Sequence, residues 1–297
     1  MKSYFSTNRV LAWTFTSVAL ATLFFACKKE VTTDNASNNE TDNHTMDVAV
    51  HETKANAIYN DLFDVAASAV NDQGVGGRKA TNGNTQRDPV SCPSTLISSV
   101  DPNIWPKTIT VEYGDACLDK YGITRSGKVY IKLSGLLLNK GSMEITLENY
   151  RYNGIPVAGT TTITDVASLA TGIQYTSTVS NGRISLGDTL ILGYSSKKTV
   201  KQIEGAATPV NPADDVFSID GNASLTYEKG GPAGAGMIAT ISTVTPLVKA
   251  WSCQWVSQGQ LKIDFNKVTG VIDYGKGGCD SNATITVNGK AKEITLK

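Results

Sequence analysis

Residues 251–265 read WSCQWVSQGQLKIDF, and they show the clearest secondary-structure pattern in the chain. Apolar or small residues take the odd positions, whereas the even positions are mostly Ser, Gln, Lys and Asp. This alternation is typical of a β-strand with one buried face and one solvated face. Val268 to Tyr274 follow after a short turn and continue the buried face on a return strand. The two segments therefore predict a β-hairpin.

The hairpin belongs to a pattern that occurs twice in the chain. The first Cys and the Tyr are 21 residues apart in both copies, and the second Cys and the Gly-Lys pair are 10 residues apart. A shared register is typical of a duplicated supersecondary unit, so we assign two related units, 92–133 and 253–297. The matching residues are Cys92, Tyr113-Gly114, Cys117 and Gly127-Lys128 in the first copy, and Cys253, Tyr274-Gly275, Cys279 and Gly289-Lys290 in the second.

Hairpin geometry predicts which cysteines of the second copy face each other. Pairing Ile263 with Val268 fixes the register of the two strands. One extra residue in the return strand, accommodated by a β-bulge at Gly277-Gly278, then sets Cys253 opposite Cys279. The two cysteines are expected at the open end of the hairpin.

The first copy gives the same result with a turn centred on Ile104-Trp105, which sets Cys92 opposite Cys117. Four cysteines allow three connectivities, and the matched spacing favours the disulfides Cys92–Cys117 and Cys253–Cys279. Such bonds persist in oxidising compartments.

Composition favours a β protein and disfavours a nucleic-acid ligand. Lys plus Arg equals Asp plus Glu at 27 each, so no net positive charge attracts a polyanion. Abundant Gly, Thr, Ser and Val, with 18% charged residues, suit many short strands.

We predict a mainly β fold, either an antiparallel β-sandwich or a large twisted antiparallel sheet with internal duplication, plus one N-terminal amphipathic helix. The predicted strands are 108–113, 128–133, 143–152, 160–165, 174–179, 183–186, 190–194, 223–227, 237–244, 248–265, 268–274 and 284–296, with hairpin turns at Asn153-Gly154, Asn181-Gly182 and Asn288-Gly289.

The N-terminus has the features of a secretory signal. Lys2 and Arg9 form a positive segment, and the apolar stretch that follows ends at Ala26, directly before Cys27. Residues 1–26 resemble a bacterial lipoprotein signal peptide, and this resemblance implies that Cys27 is lipidated. The alternative is an ordinary signal peptide with a buried cysteine. Lipidation would tether the protein to a membrane through acyl chains.

The segments between the signal and the β body differ in composition. Residues 27–45 contain the lipidated Cys and a polar stretch, which we interpret as a flexible tether. In residues 46–72, Ile58, Leu62 and Ala69 recur at helical spacing, which predicts an amphipathic helix. Its apolar stripe is expected on the β body, on a partner helix or on lipid, and the acidic Asp61 and Asp64 argue against lipid. Residues 73–89 form a linker, and the antiparallel β body spans 90–297.

The β body has few residues that support catalysis. Both histidines, His44 and His51, lie outside it, which excludes a Ser-His-Asp triad and a His-based metal site within the body. We predict no metal, no cofactor and no catalytic residue. The remaining enzymatic hypothesis is a glycan hydrolase with two carboxylates, for which the candidates are Glu204, Asp214, Asp215, Asp119 and Asp280.

The strand from Met143 to Tyr152 carries the candidate ligand contacts. Its odd positions begin with apolar residues, which places Glu148, Tyr150 and Tyr152 on the opposite face. Two aromatic rings beside a carboxylate are suited to a sugar or a protein surface. Plain cross-strand packing of the two tyrosines is the alternative.

The repeated Tyr-Gly and Cys motifs, the NYRYNG hairpin at 149–154 and TPLVK before Trp251 resemble β-rich Bacteroidota lipoproteins without an assigned activity. The resemblance covers about residues 90–297 and implies an outer-membrane, lipid-anchored protein on the periplasmic or cell-surface face. The expected function is a non-catalytic binding or structural module of the cell envelope, with a glycan or a surface protein as partner. The alternatives are the carboxylate-based hydrolase and a surface assembly subunit that pairs through strand edges or through the helix.

Overall fold

The computed structural model describes residues 33–75, 92–119, 121–169, 172–208 and 212–296. The predicted signal peptide, Cys27 and residues 76–89 of the predicted linker lie outside this part of the chain. The described residues form one α-helix, α1 (Thr33–Asp72), two short 3-10 helices (Leu137–Asn139 and Pro212–Asp214) and thirteen strands. The strands are β1 (Ser94–Ile97), β2 (Lys107–Leu118), β3 (Thr124–Leu133), β4 (Met143–Tyr152), β5 (Ile155–Leu169), β6 (Gly172–Leu186), β7 (Leu190–Glu204), β8 (Val216–Lys229), β9 (Ile238–Ala250), β10 (Gln258–Phe265), β11 (Val268–Lys276), β12 (Asn282–Val287) and β13 (Lys290–Thr295).

The strands form one antiparallel sheet in which each strand pairs with its neighbours in sequence, from β1 to β13. This confirms the mainly β fold and, of the two predicted architectures, the large twisted sheet. Inward residues such as Val129, Ile131 and Leu133 are fully buried and alternate with half-buried or exposed ones. Many strand pairs contain a register shift, and such bulges increase the local twist and bend of a sheet.

Helix α1 begins at Thr33, thirteen residues before the predicted start at residue 46, so part of the predicted tether is helical. Hydrophobic spacing did not reveal this first part of the helix, because the buried residues within 39–45, Asp42 and Thr45, are not apolar. The helix ends at Asp72, and Gly74, two residues beyond it, has a φ of 69°. The Gly74 amide donates to Asn71 and the Val75 amide to Val70, which is the Schellman arrangement for a helix C-terminus.

The sheet encloses most of α1. A helix lying on a flat sheet buries residues three and four apart, on one face only. In α1, by contrast, Glu52 and Thr53, Ala55 and Asn56, and Ile58 and Tyr59 are all buried. Contacts from α1 reach strands that lie far apart in the sheet, from β3 to β13. The predicted docking of the helix on its own body is therefore correct, and α1 forms part of the core.

The predicted hairpin turn at Asn181-Gly182 is wrong. Asn181-Gly182 lies inside β6, whereas Asn153-Gly154 and Asn288-Gly289 do connect strands as predicted. A Cβ atom at Gly182 would lie 2.5 Å from the carbonyl oxygen of Tyr194 on the neighbouring strand β7 and 2.6 Å from the hydroxyl oxygen of Tyr59 on α1. Glycine is therefore required at this position because a neighbouring backbone and a helix side chain both approach the strand closely.

The hairpin predicted for residues 251–274 differs in register from the prediction. The predicted strand 248–265 is divided, because β9 ends at Ala250 and residues 251–257 form a turn before β10. Phe265 pairs with Val268, so the predicted pairing of Ile263 with Val268 is wrong by two residues. Asn266 and Lys267 have positive φ angles, which are typical of a tight two-residue turn.

The structure confirms both predicted disulfides. Cys92 pairs with Cys117 and Cys253 with Cys279, with Cα atoms 5.7 and 5.8 Å apart. In both units a register shift occurs at the Tyr-Gly pair, where Gly114 and Gly275 have positive φ. The predicted bulge at Gly277-Gly278 therefore lies two residues earlier. The Gly-Lys pairs are not equivalent: the first lies inside β3, whereas in the second Gly289 belongs to the β12–β13 turn and Lys290 begins β13.

We expect the double substitution Cys253→Ala/Cys279→Ala to lower the free energy of unfolding by about 3 kcal/mol, because the bond closes a loop of 26 residues and restricts the unfolded chain. Urea denaturation of the oxidised parent and of the variant measures the difference. Equal stability of the two proteins would contradict a structural role for this disulfide.

Candidate functional site

The interface between α1 and the sheet contains many polar contacts, and the charges are distributed in a regular way. Acidic or amide oxygens lie on the helix, and the cationic groups lie on the strands. The pairs are Asp42 with Lys290 at 2.8 Å, Asn56 with Lys198 at 2.5 Å, Asp64 with Lys249 at 3.0 Å, and Asp61 with Arg125. Opposite charges on the two sides fix the position of the helix within the sheet.

Arg125 is the most highly connected of these cations. Its Nε donates to Asp61 at 3.1 Å, a second nitrogen also binds Asp61, and a third donates to Asp119 at 2.6 Å. Burial opposes ionisation of Asp119, but hydrogen bonds from Arg125 and from the Ile123 and Tyr121 amides lower its pKa below the ordinary value. Asp119 therefore stays ionised over the physiological pH range.

A cavity of about 270 Å³ opens beside this cluster, and we name it the outer cavity. One wall is α1, a second is formed by β1, β2 and the β2–β3 turn, and a third is the loop 251–254. Its lining includes four carboxylates, one guanidinium and three large aromatic rings, namely Asp61, Asp64, Asp72, Asp119, Arg125, Tyr113, Tyr121 and Trp251. Pro93, next to Cys92, and Cys253 also line it. Both disulfide units thus border the same cavity.

Two smaller recesses also lie along α1. The polar recess, about 40 Å³, is lined by Asn56, Asn60, Lys249 and Tyr274 among others. The aromatic recess, about 50 Å³, is lined by Phe63, Tyr175, Phe217, Trp251, Lys198 and Lys249 among others. Asp64 lines the outer cavity and both recesses, so the Asp64–Lys249 ion pair lies where the three spaces meet.

Glu52 is a buried carboxyl group with few partners. Its Oε1 accepts a hydrogen bond from the Tyr194 hydroxyl at 3.4 Å, and its Oε2 has no hydrogen-bond partner among the described residues. Burial raises the pKa of Glu52 to about 7, although the charge of Lys198 and the Tyr194 hydrogen bond act in the opposite direction. Glu52 is therefore largely protonated in the folded protein below neutral pH.

This pKa predicts a dependence of stability on pH. Between the ordinary value of 4.5 and about 7, the folded protein keeps a proton that the unfolded chain releases. Stability therefore falls as the pH rises through this range, by about 3 kcal/mol, and the contribution of Glu52 is constant above it. We expect Glu52→Gln to remove this part of the slope. Urea denaturation of both proteins at pH 5 and pH 8 tests the prediction, and identical slopes would contradict it.

The predicted strip of exposed ligand contacts on β4 is wrong for the two tyrosines. Tyr150 and Tyr152 are 2% and 5% exposed and lie in the core, whereas Glu148 is on the outside, where the Tyr130 hydroxyl binds it at 2.8 Å. A bulge at Asn149, with a φ of 51°, inserts one residue and exchanges the two faces of the strand.

The five carboxylates proposed for a hydrolase are dispersed. Among them, only Asp119 lines the outer cavity or either recess, and it is paired with Arg125. Asp215 is buried and accepts a hydrogen bond from Gln202, and Asp214 accepts one from Thr208. Glu204 and Asp280 are exposed. The structure does not bring these candidates together as a catalytic pair.

Sequence reasoning missed the cations that face the helix. Lys249 lies on the same buried face of its strand as Leu247. A charged residue at a position that alternation assigns to the core could therefore have indicated a buried cation. Asp61 and Asp64 lie on the helix, and their negative charges could have indicated that cations face them from the sheet. Arg125 and Lys198 lie in parts of β3 and β7 that were not predicted as strands, so the alternation pattern could not assign them to a face.

Two further kinds of feature are absent from the described residues. They contain no group of three or more His, Cys, Asp or Glu side chains arranged to hold a metal ion. They also contain no helix that is both long enough and apolar enough to cross a membrane. Comparisons of the chain with protein-family models, with curated proteins and with solved structures find no match.

Proposed function

We propose that the protein is a lipid-anchored, non-catalytic binding protein of the cell envelope that takes a small glycan into the outer cavity. The observation that carries the proposal is the outer cavity itself, since its volume of about 270 Å³ is near the lower end of the roughly 300–1,000 Å³ of ligand pockets. Aromatic rings next to carboxylates suit a sugar, because its C–H faces stack on rings and its hydroxyl groups donate to carboxylates.

The cellular location in this proposal is supported by two features. Two disulfides are typical of proteins in an oxidising compartment. The sequence 1–27 resembles a lipoprotein signal followed by the lipidated Cys27. If Cys27 carries the anchor, Cys27→Ala moves the protein from the membrane fraction to the soluble fraction. If the variant loses its signal peptide and still stays in the membrane fraction, this part of the proposal is contradicted.

A glycan array probed with the protein lacking residues 1–32 tests the ligand. Tyr121→Ala removes a ring that lines the outer cavity and is 62% exposed, and we expect it to weaken binding at least about tenfold. Tyr130→Ala is the matched control, because Tyr130 lies on the outer face of β3, beside Glu148. The proposal fails if no glycan binds, or if Tyr130→Ala abolishes binding and Tyr121→Ala does not.

A further inference from the structure

Lys198 differs from the other cations that face α1. Its Nζ donates to the neutral Oδ1 of Asn56 at 2.5 Å, and among the described residues no carboxylate lies within ion-pairing distance. Lys249 and Lys290, by contrast, are paired with Asp64 and Asp42. A carboxylate stabilises the ammonium form of a lysine, whereas a neutral amide does so only weakly. Lys198 is therefore the amine in this interface whose proton is held least firmly.

The surroundings of Lys198 reinforce this difference. Burial lowers the pKa of Lys198, and the negative charge of Glu52 offsets part of the effect. The side chain lines the aromatic recess, where the rings of Phe63 and Tyr175 stack with centroids 5.3 Å apart. Glu52 is itself protonated below about pH 7, which removes its opposing charge. A partly buried amine without a carboxylate partner, next to a recess lined by aromatic rings, has the properties of lysines that react as nucleophiles.

We propose that Lys198 is a covalent binding site for a small aldehyde, which it holds as an imine in the aromatic recess. The lone pair of neutral Nζ attacks the carbonyl carbon, and the carbinolamine that forms loses water. The C=O bond is replaced by C=N, and the carbonyl oxygen leaves with two hydrogens as water, so no oxidant or reductant is required. The recess of about 50 Å³ accommodates roughly four non-hydrogen atoms, the size of propanal.

This inference is independent of the proposed glycan site, because it concerns a different space and a different residue. The intact protein is incubated with propanal and cyanoborohydride at pH 7, and peptide mass spectrometry locates the propylated lysines. The internal controls are Lys197, which is exposed and adjacent in sequence, and Lys249, which lines the same recess but is paired with Asp64. We expect Lys198 to react about tenfold faster than either, because burial lowers its pKa.

A variant tests the cause of the reactivity without removing the lysine. Asn56→Asp places a carboxylate next to Nζ, and it is expected to slow the labelling of Lys198 at least about tenfold. Asn43→Asp, at an exposed position of the same helix, is the matched control and should leave the rate unchanged. The proposal is overturned if Lys198 of the parent reacts no faster than Lys197, or if Asn56→Asp leaves the labelling of Lys198 unaltered. Labelling in 8 M urea, where roughly equal rates are expected, shows that the fold produces the difference.

Discussion

Arg125→Ala is expected to lower the free energy of unfolding by about 3–5 kcal/mol. The guanidinium is 7% exposed and bonds to Asp61 on α1 and to Asp119 after β2. Removing it leaves two carboxylates of low exposure without their cation, and the cost of such unpaired charges exceeds the gain that the original pair provides. The large effect follows from burial, because exposed ion pairs contribute only about 0–1 kcal/mol.

Arg183→Ala provides a matched control for this prediction. Arg183 also donates its Nε to a carboxylate, Glu228, at 2.7 Å, but its side chain is 48% exposed. We expect a loss of about 0–1 kcal/mol. Urea denaturation followed by circular dichroism compares both variants with the parent. A loss at Arg125 no larger than that at Arg183 would contradict the buried position of the Asp61–Arg125–Asp119 cluster.

Tyr150→Ala is expected to destabilise the protein by about 3–5 kcal/mol, since the ring is buried and packs edge-on against Tyr113, with centroids 6.1 Å apart. The hydroxyl of Tyr150 has no hydrogen-bond partner among the described residues. Tyr150→Phe removes this unpaired group and keeps the ring, so we expect unchanged stability or a gain of up to about 1 kcal/mol.

Tyr130→Ala is the comparison for Tyr150, because Tyr130 lies on the opposite face of the sheet and contacts the exposed Glu148. Its loss is expected to change stability by less than about 1 kcal/mol. Thermal or urea denaturation measures all three tyrosine variants. If Tyr150→Ala were as mild as Tyr130→Ala, Tyr150 would lie on the surface, as the alternation of β4 alone suggests.

Tyr150 was assigned to the wrong face of β4, and the cause is a feature that the sequence pattern of one strand does not contain. Alternation predicted β4 from Met143 to Tyr152 with correct ends, because apolar and polar residues follow the strand period. It assigned the last residues to the wrong face because one inserted residue, Asn149, shifts the period. The partner of this bulge is Gly127, where a Cβ atom would lie 2.4 Å from the Asn149 carbonyl oxygen. Such a pairing between distant residues cannot be read from either strand alone.

The sequence predicted that this segment is a helix, but it did not predict that the sheet encloses it. Helical spacing of Ile58, Leu62 and Ala69 identified it, and these residues are buried as expected. Its enclosure depends on polar residues, such as Asp42 and Glu52, that are buried only because partners on distant strands satisfy or surround them. Hydrophobic patterns assign polar residues to solvent, so they could not predict a polar helix in the core.

The same limit explains why the candidate site was found only in the structure. The cysteine pairs were predicted from spacing, and they do flank the outer cavity. The cavity itself forms where α1, the first unit and the loop 251–254 meet. The approach of these three segments depends on the curvature of the whole sheet, which results from many small register shifts.

The outer cavity and the buried polar contacts both require that α1 is enclosed by the sheet. Hydrogen–deuterium exchange of the backbone amides in the native protein tests this most directly. We predict that the amides of residues 48–66 exchange only through global unfolding, at rates close to those of the central strands β6, β7 and β8. If these helix amides exchanged orders of magnitude faster while the strands stayed protected, α1 would be a detachable outer element, and the cavity walls described above would not persist in solution.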